Sequence, residues 1–293
     1  MTKSAFPWVW SRLVPAKMAD CWAERLHFLG PGSLVLHRLA GRPTIRLEAY
    51  LPDASIGREL LDHYGGKLRK ASSAWSPATE QSEPLRIGGK LWIVPEAARE
   101  LGEKDSSPGG RPSLFIPAGM AFGTGRHATT GMVLREMVTI PDWRKSHVLD
   151  IGTGSGILSL AARRLGATCI WALDTDSAAL AVARRNEEAN FASPAIRWVE
   201  ADLARWRGRR TFDRILANLY LTPLLQGAAR LVGWLAPHGV LLVSGLLREQ
   251  APEIEARFVR EGLLLQGKKR RGKWTMLRFQ APLHCHSAKA PLL

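Results

Sequence analysis

The hydrophobic and polar positions change their period partway along the chain. In roughly the first seventy-five residues, short runs of strand-like and helical spacing alternate. The predicted elements are strands at Trp8–Leu13, Ser33–Arg38, Thr44–Tyr50 and Lys67–Ser72, and helices at Ala16–Phe28 and Ala54–Tyr64. Their order, βαββαβ, is that of the split βαβ, ferredoxin-like arrangement. We therefore expect a small α+β domain at residues 1–75.

The next stretch is irregular. Residues 76–84 are polar with two prolines, which predicts a linker, and Leu85–Val94 has the pattern of a hairpin closed at Gly88-Gly89. Leu101–Pro112 is rich in glycine, serine and charge, which is typical of a mobile loop.

From His147 onward, apolar runs alternate with amphipathic helical stretches, which predicts βαβ units and an α/β, doubly wound, mostly parallel sheet. The predicted strands are His147–Ile151, Cys169–Leu173, Ile196–Val199, Arg214–Ala217 and Val240–Ser244, and the helices are near Ser155–Leu165, Ser177–Phe191, Leu221–Leu235 and Glu249–Glu261. Leu263–Gly267 and Trp274–Phe279 flank a basic turn, so we expect a terminal antiparallel hairpin at one sheet edge. This second domain would occupy residues 85–281, followed by a tail at 282–293.

Composition narrows the class of protein. Of the 293 residues, 46% are hydrophobic, which excludes global disorder, and no apolar run has the length of a membrane span. The N-terminus lacks the pattern of a signal peptide. The three cysteines, Cys21, Cys169 and Cys285, are far apart and odd in number, which argues against a disulfide framework and favours a reducing, cytoplasmic location.

The net charge of +15 is concentrated in the last third of the chain. Two clusters dominate it, Arg205–Arg210 and Lys268–Lys273. A solvated basic surface explains them without any partner, whereas contact with the phosphate backbone of ribosomal RNA is the functional alternative.

A glycine loop follows the first strand of the second domain. Asp150 ends that strand, and Gly152, Gly154 and Gly156 follow at alternate positions. Glycines let a ligand approach the backbone at the carboxyl end of a strand. Ile157 stands where the dinucleotide pattern has its third glycine, which weakens the case for NAD and favours S-adenosylmethionine, a cofactor without phosphate.

Two acidic residues follow the next strands. Asp174 ends the second strand, where a carboxylate can accept hydrogen bonds from both ribose hydroxyls, whereas Asp176 is expected near the N-cap of the next helix. Asp202 follows the third strand and would either meet the adenine amino group or cap the turn before Leu203–Trp206.

Two further segments carry a resemblance to a known family. One is Phe122-Gly123-Thr124-Gly125-Arg126-His127-Ala128-Thr129-Thr130, and the other places Asn218 and Leu219 just past the fourth strand. With the glycine loop, Asp174-Thr175-Asp176 and Gly272-Lys273-Trp274-Thr275, they resemble the PrmA family over nearly the whole chain. That family methylates a protein at the base of the ribosomal stalk.

The resemblance implies a protein-lysine methyltransferase that uses S-adenosylmethionine, acts on a ribosomal large-subunit protein and has an N-terminal substrate-recognition domain. It implies cofactor contacts from Thr130, Gly152, Asp174 and Asn218, with Phe122 and the following Gly-Thr-Gly walling the methionine end. Asp150, Gly154 and Asp202 complete the expected cofactor site. We expect a monomer with no membrane contact.

Departures from the family pattern leave the acceptor open. Arg126, Ala128 and the segment Leu219–Thr222 differ from it beside the expected acceptor pocket. They motivate an alternative, a methyltransferase of the same fold acting on another protein or a small amine. Two remote alternatives are an NAD-dependent oxidoreductase and a non-catalytic RNA-binding protein.

The expected chemistry needs few catalytic groups. A lysine amine is neutral in well under ~1% of molecules at pH 7, and burial beside a sulfonium lowers its pKa. Asn218 and the Leu219 carbonyl could orient that amine, and His127 could accept a proton or only fix its loop. His284-Cys285-His286 lacks the fourth ligand of a structural zinc site, so no metal is expected.

Overall fold

The computed structural model describes most of the chain in two compact units. The described residues are 7–19, 22, 26, 29, 33–38, 43–71, 84–94, 112–116, 125, 127–208 and 211–283. Those up to Ala71 belong to the first unit and those from Pro84 onward to the second. The predicted linker, loop and C-terminal tail lie largely outside the described residues.

The first unit is a four-stranded antiparallel sheet with a helix. Its elements are β1 (Trp8–Pro15), a 3-10 helix (Ala16–Met18), β2 (Leu34–Arg38), β3 (Thr44–Leu51), α1 (Ala54–Tyr64) and β4 (Lys67–Lys70). The strand order β2-β3-β1-β4 is the ferredoxin-like order that the sequence predicts. Alternate residues of β1 and β3, such as Trp10 and Leu47, form its core with Leu60 of α1. The rest of the predicted helix Ala16–Phe28 is described at too few positions to compare.

The second unit begins with a small sheet. Strands β5 (Leu85–Ile87), β6 (Leu91–Val94) and β7 (Ser113–Phe115) follow in that order. β5 and β6 form the predicted hairpin, and Gly88 and Gly89 in its turn have positive φ angles of 53° and 72°. β7 pairs parallel to β6.

A seven-stranded sheet with helices on both faces forms the body of the second unit. Its strands are β8 (His147–Ile151), β9 (Cys169–Asp174), β10 (Ile196–Glu200), β11 (Phe212–Asn218), β12 (Leu235–Leu247), β13 (Leu264–Arg271) and β14 (Trp274–Gln280). Its helices are α2 (Ala128–Met137), α3 (Ile157–Arg164), α4 (Ser177–Asn190), α5 (Leu221–Gly233) and α6 (Ala251–Arg260).

The order β10-β9-β8-β11-β12-β14-β13 confirms the doubly wound prediction. The first five strands are parallel, and β14 and β13 are the predicted antiparallel hairpin at the edge. The chain order reverses between β8 and β11, and ligands of such sheets bind at the carboxyl ends of the strands beside this switch point.

The side chains of each strand alternate between two cores. Val148 packs on one face with residues of α2 and α3, and Leu149 packs on the other face with residues of α5 and α6. The predicted strand Val240–Ser244 is longer in the structure, since β12 already begins at Leu235 and continues to Leu247 through a register shift after Val243. Among the described residues, the helices are too short or too polar for a membrane span.

Candidate active site

The glycine loop between β8 and α3 has a backbone that other residues would strain. Gly152, Gly154 and Gly156 have φ angles of 69°, 54° and 80°. A Cβ on Gly152 would lie 2.3 Å from Cδ2 of Leu219, and one on Gly156 would lie 2.7 Å from the ring of Trp198. These glycines therefore bring the loop into close contact with its neighbours, with no room for side chains at either position.

Asp150 lies beneath this loop, with none of its surface exposed. Its Oδ2 accepts hydrogen bonds from Thr153 Oγ1 at 2.6 Å, from Ser159 Oγ at 2.7 Å and from the Ser159 amide at 3.2 Å. Burial raises the pKa of Asp150 to about 6, against the lowering effect of these bonds, and the charge of Asp174 adds to the rise. The carboxylate thus ties the loop to the start of α3 from inside, and its predicted contact with a cofactor stays a prediction.

Asp174 connects the end of β9 to the same loop. Its Oδ2 accepts a hydrogen bond from the Gly154 amide at 2.8 Å, and its Oδ1 accepts one from the Asp176 amide at 3.0 Å. Asp176 is the N-cap of α4, as expected, and accepts a hydrogen bond from the Ala178 amide at 2.8 Å. The two acidic residues therefore have different tasks, and Asp174 alone borders the glycine loop.

Asp202 lies at the same edge of the sheet, one strand further out. β10 pairs with β9 so that Glu200 is opposite Asp174, and the Ala201 amide donates to the Asp174 carbonyl at 2.9 Å. The Asp202 carboxylate accepts a hydrogen bond from the Ala204 amide at 2.7 Å, which is the capping role weighed above. Contact with adenine stays a prediction.

Asn218 lies on the other side of the switch point and reaches α2. Its Nδ2 donates to the hydroxyl of buried Thr130 at 3.2 Å, and these residues are 88 positions apart in the chain. The structure thus brings together two residues that the resemblance assigns to the cofactor site.

Leu219 is held by the end of β12, which the sequence analysis missed. Its amide donates to the Ser244 carbonyl at 3.1 Å, and a Cβ on Gly245 would lie 2.4 Å from the Leu219 carbonyl oxygen. Ser244 Oγ also donates to the Thr129 carbonyl at 3.2 Å. A glycine within an apolar strand is the signal that could have pointed to this close approach.

His127 precedes α2 and is fixed in its place. Its Nδ1 lies 2.8 Å from Thr129 Oγ1, and its ring meets the Trp274 ring edge-on with 5.3 Å between centroids. These contacts match the loop-fixing alternative. Phe122, Gly123, Thr124 and Arg126 lie outside the described residues, as does His284–His286.

Fold and site together define the class. A doubly wound sheet with a glycine loop after an inner strand and a carboxylate at the end of the next strand suits an adenosine-containing ligand. Buried Ile157 at the third glycine position is unsuited to a dinucleotide, and the class is that of the S-adenosylmethionine-dependent methyltransferases. The chain belongs to the ribosomal protein L11 methyltransferase (PrmA) family, whose sequence profile matches residues 67–282.

Individual relatives agree with this family. A ribosomal protein L11 methyltransferase of Pelobacter propionicus is 35% identical over 79% of this chain and 72% of its own length. One from Geobacter metallireducens is 39% identical over 68% of this chain, which spans only 62% of that relative. The crystal structure of a ribosomal protein L11 methylase from Lactobacillus delbrueckii subsp. bulgaricus has a TM-score of 0.61 and 27% identity, covering 68% of this chain and 99% of that one. The oxidoreductase and non-catalytic alternatives are therefore wrong.

Proposed function

We propose that the chain binds S-adenosylmethionine and methylates lysine side chains of ribosomal protein L11, the protein after which its relatives are named. The observation that carries this proposal is the convergence of the ends of β8, β9 and β11 with the start of α2, where the Gly154 amide donates to Asp174 and Asn218 donates to Thr130. A cytoplasmic location and a monomeric state accompany the proposal.

The loop residues fit this cofactor. The carboxylate of Asp174 borders the loop and can also accept hydrogen bonds from ribose hydroxyls. The backbone of Gly152 and Gly154 would lie against the uncharged nucleoside, and Asp202 would accept a hydrogen bond from the adenine amino group. Thr130 and Asn218 would border the methionine end, together with Phe122, Gly123 and Thr124. When bound, S-adenosylmethionine supplies a methyl group on a sulfonium, whose loss leaves a neutral thioether.

The acceptor side requires positioning more than acid–base strength. The Asn218 side-chain oxygen and the Leu219 carbonyl would accept hydrogen bonds from the neutral lysine amine and aim its lone pair. The Leu219 carbonyl can occupy this position because residue 245 is a glycine, and any side chain there would collide with the carbonyl oxygen. His127 is already bonded to Thr129 and packed on Trp274, so it would fix the loop, and the departing proton would pass to water.

One observation favours the second candidate, an acceptor that is another protein or a small amine. Tyr220 follows Leu219 in the segment that departs from the family pattern, and 68% of its surface is exposed. An exposed aromatic ring beside the expected acceptor position could select a different amine.

The test is transfer of labelled methyl from S-adenosylmethionine to purified ribosomal protein L11 and to total ribosomal protein. Asp174→Asn is the test variant and Asp176→Asn the matched control, since an asparagine at 176 can still cap α4. Label on L11 with the wild type and the control, and its loss with Asp174→Asn, would support the proposal. Cofactor binding without label on any ribosomal protein would refute the acceptor and favour the second candidate.

A further inference from the structure

The basic run on the terminal hairpin is partly neutralised by the helices beside it. Lys268 of β13 forms an ion pair with Glu255 of α6, and Lys269 forms one with Glu136 of α2 at 2.6 Å. Neighbouring residues of a strand point to opposite faces, so Arg270 lies on the same face as Lys268, and Arg271 lies on the same face as Lys269. Since these two lysines already have carboxylate partners, the run is not a continuous row of free cations.

Arg271 instead meets a second arginine at α2. The Arg135 guanidinium folds back over Gly131 and donates from Nη1 to the Gly131 carbonyl at 2.9 Å. A Cβ on Gly131 would lie 2.8 Å from Arg135 Nη1 and 3.6 Å from Arg271 Nη1. Glycine inside a helix costs about 1 kcal/mol relative to alanine, and here it makes room for the two guanidinium groups.

Arg135 and Arg271 are a like-charged pair. In the described part of the chain, neither forms an ion pair with a carboxylate. The pKa of Arg135 is lowered, first by burial and then by the charge of Arg271. A shared anion would stabilise two neighbouring cations of which one, Arg135, is partly buried, and guanidinium groups bind carboxylates with good geometry.

This pair borders the acceptor side of the proposed site. Gly131 directly follows Thr130, the partner of Asn218. At the tip of the hairpin, Trp274 packs on His127 and pairs with Leu247, three residues beyond Ser244. The hairpin tip therefore lies at the carboxyl edge of the parallel strands, where the acceptor would enter.

We propose that Arg135 and Arg271 form an anion-binding subsite that takes an Asp or Glu carboxylate of the acceptor protein, beside the amine to be methylated. The proposal rests on the protein-methyltransferase function above. A single carboxylate fits a single arginine pair, whereas a nucleic-acid backbone would be met by a row of unpaired cations. The subsite would explain how so basic a protein can orient a lysine-bearing substrate.

The test compares Arg271→Gln with Arg270→Gln, which removes the same charge from the neighbouring residue on the opposite strand face. Both arginines are exposed, so both variants should fold. With RNA-free ribosomal protein L11 as the probe, we expect Arg271→Gln to raise the KM for the protein about tenfold, the effect of losing one charge-assisted hydrogen bond. The Kd for S-adenosylmethionine should stay within about twofold, and Arg270→Gln should change neither value by more than about twofold.

A charge swap then identifies the partner. Acidic residues of the acceptor protein are replaced one at a time by lysine, and one replacement should be poorly methylated by the wild type and rescued by Arg271→Glu. Equal effects of Arg270→Gln and Arg271→Gln would overturn the subsite, as would the absence of any rescued pair. A defect seen only with RNA-bound acceptor would assign the pair to phosphate and overturn it too. If the wild type labels no ribosomal protein, the proposed function fails instead.

Discussion

Replacement of Asp150 by asparagine tests whether burial under the glycine loop raises the pKa of this carboxyl group. Its pKa rises from an ordinary value of 3.8 to about 6 in the folded protein. Each pKa unit corresponds to about 1.4 kcal/mol, so at pH 7.5 the ionised Asp150 costs the fold about 3 kcal/mol relative to its protonated form. The folded state holds the Asp150 proton more tightly than the unfolded state does. Protonated Asp150 therefore contributes stability below pH 4, and this contribution is lost as the pH rises through 6.

Asparagine has nearly the same shape and does not ionise. Its oxygen can accept the hydrogen bonds from Thr153 and Ser159, while its amide group takes the place of Oδ1, which has no hydrogen-bond partner among the described residues. An unpaired buried amide costs about 1–3 kcal/mol, and this cost is the same at every pH. We therefore expect the free energy of unfolding of Asp150→Asn, relative to the wild type, to rise by about 2 kcal/mol between pH 4.5 and pH 7.5.

The assay is equilibrium unfolding in urea at pH 4.5, 6.0 and 7.5. Asp62→Asn, on the exposed side of α1, is the control for the change in residue type. A difference between Asp150→Asn and the wild type that does not vary with pH would refute the reasoning, because the interior would then not perturb this carboxyl group. A difference that falls as the pH rises would contradict its sign.

Three further outcomes are expected. Gly245→Ala should lower kcat more than tenfold with a smaller effect on cofactor Kd, because its Cβ would lie 2.4 Å from the Leu219 carbonyl; Gly267→Ala, with no atom within 4 Å, should change neither. Glu136→Gln should destabilise the fold by about 3 kcal/mol in urea unfolding at pH 7. Burial tends to raise the pKa of Glu136, but its hydrogen bonds and ion pairs with Lys269 and Arg278 together outweigh burial and lower it. That loss should therefore shrink as the pH falls below about 4, and a constant loss would contradict it. His127→Ala should reduce kcat without changing the shape of the pH–rate profile. Loss of one limb of that profile would instead show that His127 acts as a general base.

The local pattern of the chain was enough to predict most of the second unit. The strand His147–Ile151 and the glycine loop follow from side-chain period and backbone freedom, which are properties of neighbouring residues. The same holds for Asp176 at the N-cap of α4. The last two strands could be predicted to pair with each other because a short turn can join only antiparallel neighbours.

Other features depend on contacts between distant parts of the chain, and no local pattern encodes them. The sequence indicated that Asp150 belongs to the loop, but only packing decided that its carboxylate points inward, where burial raises its pKa. The bond of Asn218 to Thr130 spans 88 positions. Likewise, the basic run looked uniform as a sequence, and tertiary structure paired Lys268 and Lys269 with carboxylates while bringing Arg271 to a second arginine. The physical reason is that charge and composition belong to each residue separately, whereas the desolvation of a side chain and its pairing with another depend on which residues the fold places beside it.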